Sequence, residues 1–235
     1  MMRRLALAAL VALSAALTSP AQAITLGQVD TFSGSIQGWF AGGGPFGSVP
    51  PVPPSVVPGG GPGGAGDSFL LVSSNGSAGP GGRLVVMNGA QWAGDYLSVG
   101  ITGIAMDLRN FGTADLTLRL LFEDPIAGPP TNQAVTSFGV TLAVGGDWTH
   151  ALFPIAESDL TVLAGNASNL LSNTTLIRLY HGPDAAFPGE RVAGLLGVDN
   201  IGAVSEPATV PEPATLVLIL AGLGLLGARV PRRRA

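Results

Sequence analysis

The sequence predicts an all-β protein, an antiparallel β-sandwich with a Gly/Pro-rich loop insertion, on three observations. Apolar and polar residues alternate with period two through the middle of the chain. The alternating runs are separated by Gly, Pro, Asn and Asp, the residues that turns need. A hydrophobic content of 46% and a mean hydropathy of +0.44 supply enough apolar side chain for a packed core.

The opening strand falls at 29–33, and runs at 68–73 and 83–88 follow. Ile104, Met106 and Leu108 face one way with Ala105, Asp107 and Arg109 opposite. Leu116, Leu118 and Leu120 oppose Asp115, Thr117 and Arg119, and Phe138, Val140, Leu142 and Val144 oppose Ser137, Gly139, Thr141 and Ala143. Further runs at 148–155, 174–180 and 195–204 bring the expectation to eight or nine strands, the spacing of a sandwich. The one helical piece expected is 156–163, with Ser158 as its cap. Segment 41–66 holds 17 Gly or Pro in 26 residues, so it is expected to be a long loop without helix or paired strand. Its two G-x-G-x-x-G matches lack the strand before and the helix after that a nucleotide site requires.

Composition excludes several chemistries. The chain has no Cys and no Lys, which removes disulfides, thiol nucleophiles, Schiff-base lysines and cysteine zinc sites. Residues 24–209 carry five Arg against fourteen carboxylates, a net charge of −9. Five scattered arginines do not make a phosphate-binding surface, so no nucleic-acid partner is expected. His150 and His181 stand 31 residues apart with no H-E-x-x-H, and there is no G-x-S-x-G elbow. The close carboxylate pairs, Glu123 with Asp124 and Glu157 with Asp159, border Pro or a helix start and read as turn residues rather than a glycosidase pair. The expected protein is not an enzyme.

The two ends read as addresses. Met1-Met2-Arg3-Arg4, an apolar run at 5–17 and the triplet Ala21-Gln22-Ala23 have the form of a secretory signal, with cleavage expected after Ala23. At the far end 214–228 is uncharged and spans roughly 22 Å as a helix, short of a bilayer core of about 30 Å. Arg229, Arg232, Arg233 and Arg234 follow, a cluster that is retained on the cytoplasmic side and leaves the body outside. Pro211-Glu212-Pro213 stands just before the span, where two prolines keep the chain extended and present one carboxylate. This order of triplet, short apolar helix and basic terminus resembles the PEP-CTERM sorting signal of exported Gram-negative bacterial proteins. The resemblance implies an exosortase as partner, the membrane as transient anchor through 214–228, and delivery to the cell surface or extracellular matrix. In it Pro211, Glu212 and Pro213 are the recognition element, and Arg229 with Arg232, Arg233 and Arg234 the stop. The expected organisation is thus a signal peptide at 1–23, a sandwich at 24–204, a linker at 205–213, a membrane helix at 214–228 and a basic tail at 229–235.

Within the body, Val29-Asp30-Thr31-Phe32 with Gly38-Trp39, Gly66-Asp67-Ser68-Phe69-Leu70, Trp148 leading to Phe153-Pro154-Ile155, and Gly197-Val198-Asp199-Asn200-Ile201 resemble galactose-binding-like jelly rolls of the carbohydrate-binding-module type. That resemblance implies a jelly-roll-like sandwich and a structural Ca²⁺ near the first and last strands, with Asp30 and Asp199 as its oxygen ligands. Each of the two can equally pair with an Arg. No other cofactor is implied. Sugar binding uses aromatic platforms beside amides and carboxylates. Trp39 and Trp148 read as core, whereas Trp92 and Tyr96, between strands, are expected at the surface as the ligand-binding pair. The leading expectation is an exported surface or matrix protein whose sandwich binds or organises exopolysaccharide. Its alternatives are a structural or adhesive matrix protein without a small ligand, and a cryptic glycoside-active enzyme.

Overall fold

The computed structural model describes residues 23–41, 53–124 and 128–205. Within them the chain forms β1 (Val29–Asp30), β2 (Ser55–Val57), β3 (Phe69–Asn75), β4 (Val85–Asn88), β5 (Gly103–Asn110), β6 (Leu116–Asp124), β7 (Asn132–Thr136), β8 (Val140–Leu142), β9 (Thr149–Pro154), β10 (Leu160–Ala164), one short helix α1 (Ala167–Ser172), β11 (Leu176–His181) and β12 (Ala193–Val204). All pairings are antiparallel. The first sheet has the order β2-β3-β12-β5-β9, with β1 also on β12; the second has the order β10-β7-β6-β11-β4, with β8 on β6. The expected sandwich is the observed architecture.

The alternation explains the core. Ile104, Met106 and Leu108 of β5 and Leu196 and Val198 of β12 meet Leu116, Leu118, Leu120 and Phe122 of β6 and Ile177 and Leu179 of β11, all buried in one cluster. At roughly 1.5 to 3 kcal/mol for each fully buried large aliphatic or aromatic side chain, that cluster is what holds the two sheets together. On β12 the register slips between Asp199 and Gly202, and Asn200 takes a φ of 50°, a bulge that inserts one residue. Its consequence is a change of parity. Leu196 and Val198 point inward before the bulge and Ile201 and Ala203 after it, which leaves Gly197 and Asp199 on the outer face.

Four local expectations are corrected. Ser55, Val56 and Val57 inside the Gly/Pro-rich segment pair with Leu71, Leu70 and Phe69, because three β-rich residues between Pro54 and Pro58 suffice for an edge strand. Segment 156–163 is not a helix capped by Ser158. It is a 3₁₀ turn at Glu157–Asp159, with no side-chain cap, leading into β10, whose Leu160 is buried and whose Thr161 and Val162 favour a strand. The helix forms later at α1, where the Asn166 side chain accepts the Asn169 N–H at 3.1 Å and acts as its N-cap. Finally, the face expected to bury Phe138 and Val144 does not extend beyond β8: Phe138 is 79% and Val144 49% exposed.

The signal segment up to Gln22, including Ala21, lies outside the described residues, as do Pro211, Glu212 and Pro213, the 214–228 span and Arg229, Arg232, Arg233 and Arg234. Ala23 is described and exposed, and Ile24 beside it is buried in the core, its N–H donating to the Ala93 carbonyl at 2.8 Å. No helix among the described residues is long and apolar enough to cross a membrane.

Candidate functional site

The outer face of the first sheet gathers aromatic and carboxylate side chains in two neighbouring rows. Cross-strand register sets them. Leu71, Gly197 and Arg109 face one another on β3, β12 and β5, and in the next row Asp199, Asp107 and His150 face one another on β12, β5 and β9. Trp148, just before β9, and Phe111, just after β5, lie over Gly197. A Cβ there would sit 2.7 Å from the Phe111 ring and 2.8 Å from the Trp148 ring, so only glycine lets the rings settle on the strand. Phe69 completes the cluster, edge-on to Trp148 at 5.2 Å and stacked on Phe111 at 5.4 Å. Phe111 is 36% exposed and Trp148 half-buried, so this is a surface platform rather than core.

Polar groups surround it. Arg109 lies 4.9 Å over the Phe111 ring and 3.7 Å from the fully solvated Asp147. Asp107 accepts from His150 Nδ1 at 2.8 Å and from Asn200 Nδ2 at 2.7 Å. The Trp148 Nε1–H donates to the Gly60 carbonyl at 2.9 Å, which ties the ring to the glycine-rich loop before β3. That loop closes on its own carboxylate: the Gly63 N–H donates to Asp67 Oδ2 at 2.6 Å and the Gly61 N–H to the Asp67 carbonyl at 2.9 Å. A Cβ on Gly61 would come within 2.6 Å of the same oxygen, which explains the glycines.

Asp199 is the anomaly of this face. It is 1% exposed, and neither carboxylate oxygen has a formed hydrogen bond. Burial pushes its pKa up to about 6; the nearby Asn200 N–H pulls it down, while the Asp67 and Asp107 charges push it further up.

The expected ligand-binding pair is elsewhere. Trp92 and Tyr96 are fully buried, and neither can present a ring to a sugar. The cause is Asp30, whose Oδ2 accepts both the Trp39 and the Trp92 Nε1–H at 2.7 Å and draws the segment after β4 into the core. The Tyr96 hydroxyl donates to the Trp92 carbonyl at 2.7 Å, and burial raises its pKa well above the ordinary phenol value. Trp39 is core as expected, whereas Trp148 is not.

Nor do Asp30 and Asp199 come together. Asp30 faces the indoles inside and Asp199 the outer side of the sheet. A calcium site shared by them does not fit this arrangement, and no group of three or more acidic or histidine side chains among the described residues is placed to hold a metal ion. Neither pairs with an Arg among the described residues. Glu123, read from the sequence as a turn residue, is instead 4% exposed on β6 and paired with Arg178 of β11. Asp67, Asp107, Phe111 and His150 were not singled out from the sequence as site residues, although the alternation of β5 already puts Asp107 and Arg109 on one outward face.

The architecture is that of the carbohydrate-binding-module jelly rolls. A solution structure of the module CtCBM11 has 17% identity and a TM-score of 0.50, covering 78% of this chain and 97% of that one. The family 11 carbohydrate-binding module from Clostridium thermocellum, in complex with a β-1,3-1,4-mixed-linked tetrasaccharide, has 17% identity and a TM-score of 0.47, covering 77% and 99%. An exo-β-agarase has 11% identity and a TM-score of 0.53, covering 78% of this chain and 26% of the enzyme. The likenesses to CtCBM11 and to the agarase, at TM-scores of 0.50 and 0.53, establish the fold. No curated protein matches the chain. Residues 209–234 match the PEP-CTERM protein-sorting motif, which implies an exported chain that is anchored and then processed.

Proposed function

We propose that this is an exosortase-processed surface protein of a Gram-negative bacterium, and that its sandwich is a non-catalytic module binding extracellular polysaccharide through the outer face of the first sheet. The observation that carries the binding reading is the platform of Trp148 and Phe111 over Gly197, half open to solvent and flanked by Asp107, His150 and Arg109. A pyranose has an apolar face that stacks on an aromatic ring and a hydroxyl rim that bonds to carboxylates and imidazole. The fold of known carbohydrate-binding modules supports the same reading. Asp199 is too deeply buried to act on a glycosidic bond, and Asp107 is held by His150 and Asn200, which favours binding over hydrolysis.

The test is retention on columns of mixed-linkage β-glucan, xylan and agarose. Trp148→Ala is expected to weaken retention on the polysaccharide that binds by on the order of tenfold or more, with the far-ultraviolet circular dichroism unchanged. Equal retention of the variant removes this face from consideration. Retention on no polysaccharide leaves the structural or adhesive matrix role, and release of soluble oligosaccharide makes the protein an enzyme. For sorting, the intact mass of the mature chain is expected to lack Arg232, Arg233 and Arg234; a mature chain that keeps them is an ordinary anchored protein.

A further inference from the structure

We infer that Asp67 is a positioning residue of the aromatic platform: it folds the glycine-rich loop between β2 and β3 into the shape that offers the Gly60 carbonyl to the Trp148 indole, and so sets the pose of the ring without itself touching a ligand. This role rests on the reading of Trp148 as the binding platform and deepens it.

Segment 58–67 holds six glycines in ten residues, and Asp67 is its only charged residue. Glycine loses more conformational freedom on ordering than any other residue, so such a stretch stays open unless specific bonds close it. Asp67 supplies three. Its Oδ2 accepts the Gly63 N–H at 2.6 Å, its carbonyl accepts the Gly61 N–H at 2.9 Å, and its own N–H donates to the Gly64 carbonyl at 3.1 Å. Gly60 is drawn into the same knot, its N–H donating to the Gly64 carbonyl at 3.2 Å. The fit leaves no slack: a Cβ on Gly61 would stand 2.6 Å, and one on Gly63 2.9 Å, from the Asp67 Oδ2, while one on Gly59 would stand 2.5 Å from the Ala65 carbonyl. The acid and its glycines shape one another, and the product is a carbonyl held at Gly60.

That carbonyl reaches a residue 88 positions away, accepting the Trp148 Nε1–H at 2.9 Å. The other restraints on the indole are apolar. Phe69 meets it edge-on at 5.2 Å, Phe111 at 6.0 Å, and Gly197 lies beneath it. Ring contacts of this kind tolerate sliding, whereas a hydrogen bond is directional and decides which way the indole turns. A stacking surface has to be held to within about 0.5 Å to serve a ligand, and a ring ordered beforehand lowers the cost of binding. With its one polar atom engaged by the loop, Trp148 offers a ligand ring carbon alone. Asp67 therefore acts through Gly60 and needs an acceptor oxygen for the Gly63 N–H, not a charge.

Acrylamide quenching of tryptophan fluorescence reads the pose of the ring without any ligand, because Trp39 and Trp92 are fully buried and Trp148 supplies the accessible signal. Asp67→Ala is expected to raise quenching about twofold as the loop opens. On whichever of the mixed-linkage β-glucan, xylan and agarose columns holds the parent, it is expected to weaken retention about fivefold. Gly61→Ala crowds the same oxygen and is expected to do both, which keeps the test decisive should Asp67→Ala fail to fold. Asp67→Asn retains an acceptor and is expected to match the parent in both measurements. Trp148→Phe keeps a ring but loses the N–H, and the double variant Asp67→Ala/Trp148→Phe is expected to be retained no more weakly than Trp148→Phe alone. The role is overturned if the two losses multiply, which makes Asp67 a ligand contact; if Asp67→Asn is as impaired as Asp67→Ala; or if Asp67→Ala and Gly61→Ala both quench like the parent. The columns separate the two ideas. Raised quenching in a chain that no polysaccharide retains leaves Asp67 as the residue that poses Trp148 and removes the binding reading; retention lost in Trp148→Ala, with both loop variants quenching and binding like the parent, does the reverse.

Discussion

The two outer faces of the sandwich handle charge in opposite ways. On the second sheet the buried charges are answered almost throughout by the protein itself, the Arg178 Nε–H being the one buried side-chain donor among the described residues left without an acceptor. Arg119 of β6 gives its Nε–H to the Gly182 carbonyl and its Nη groups to the carbonyls of Thr136, Ser137 and Pro183, all at 2.7 to 2.8 Å. Arg178 and Glu123 pair across β11 and β6, and Gln133 adds a bond to the second Glu123 oxygen. Phe187 then closes over Tyr180, whose pKa burial pushes up to about 12 against the lowering pull of Arg119. The first sheet presents a half-open aromatic platform and one buried carboxylate with no donor. A face that answers nearly all of its charge is a structural face; one that leaves an aromatic surface open and both oxygens of a buried acid unanswered has capacity left for a ligand.

The contrast can be broken most forcefully at Arg119. Arg119→Met strips the donors from four carbonyls at once and is expected to cost at least about 3 kcal/mol in urea unfolding, with the 182–190 loop losing protection from amide exchange first. A loss under about 1 kcal/mol would mean that water replaces the guanidinium and that the second face is less dry than described. A smaller effect sharpens the comparison through pH. His181, at the end of β11, accepts the Thr117 N–H on Nδ1 at 3.1 Å, which requires a neutral ring there. Burial lowers its pKa, against the raising pull of Glu190. The unfolded chain therefore takes up the proton first, so the stabilisation is present above the ordinary histidine value and is lost as pH falls below it. Thermal denaturation is expected to show the second face weakening towards acid, with His181→Gln flattening that limb. If the acid limb survives in His181→Gln, the pH dependence belongs to other groups.

Much of this was legible in the sequence, and the failures share a cause. Period-two alternation located β5, β6, β11 and β12, because each buries one face against the same core. The bulge at Asn200 was not readable from alternation, which is why Asp199 could not be assigned a side of the sheet. Trp92 and Tyr96 sit between strands, where exposure is the normal expectation, and only the long-range bond from Asp30 overrides it. Trp148 was misjudged in the reverse sense. The local signal for it was Gly197, a residue without a side chain at an outward position of a long central strand, marking where rings from elsewhere come to rest. The glycines of the insertion mark only a long loop in the sequence, although Gly61 and Gly63 are fitted to Asp67.

The proline-bracketed strand β2 has a consequence for copies of the chain that meet one another. Three residues between Pro54 and Pro58 form one border of the first sheet, and β9, at the other border, ends at Pro154. Proline has no N–H to offer a visiting strand, so a neighbouring copy finds too short a ladder to extend on one side and an early stop on the other. The insertion thereby keeps copies of the chain from zipping onto one another through that sheet, and leaves its broad face free.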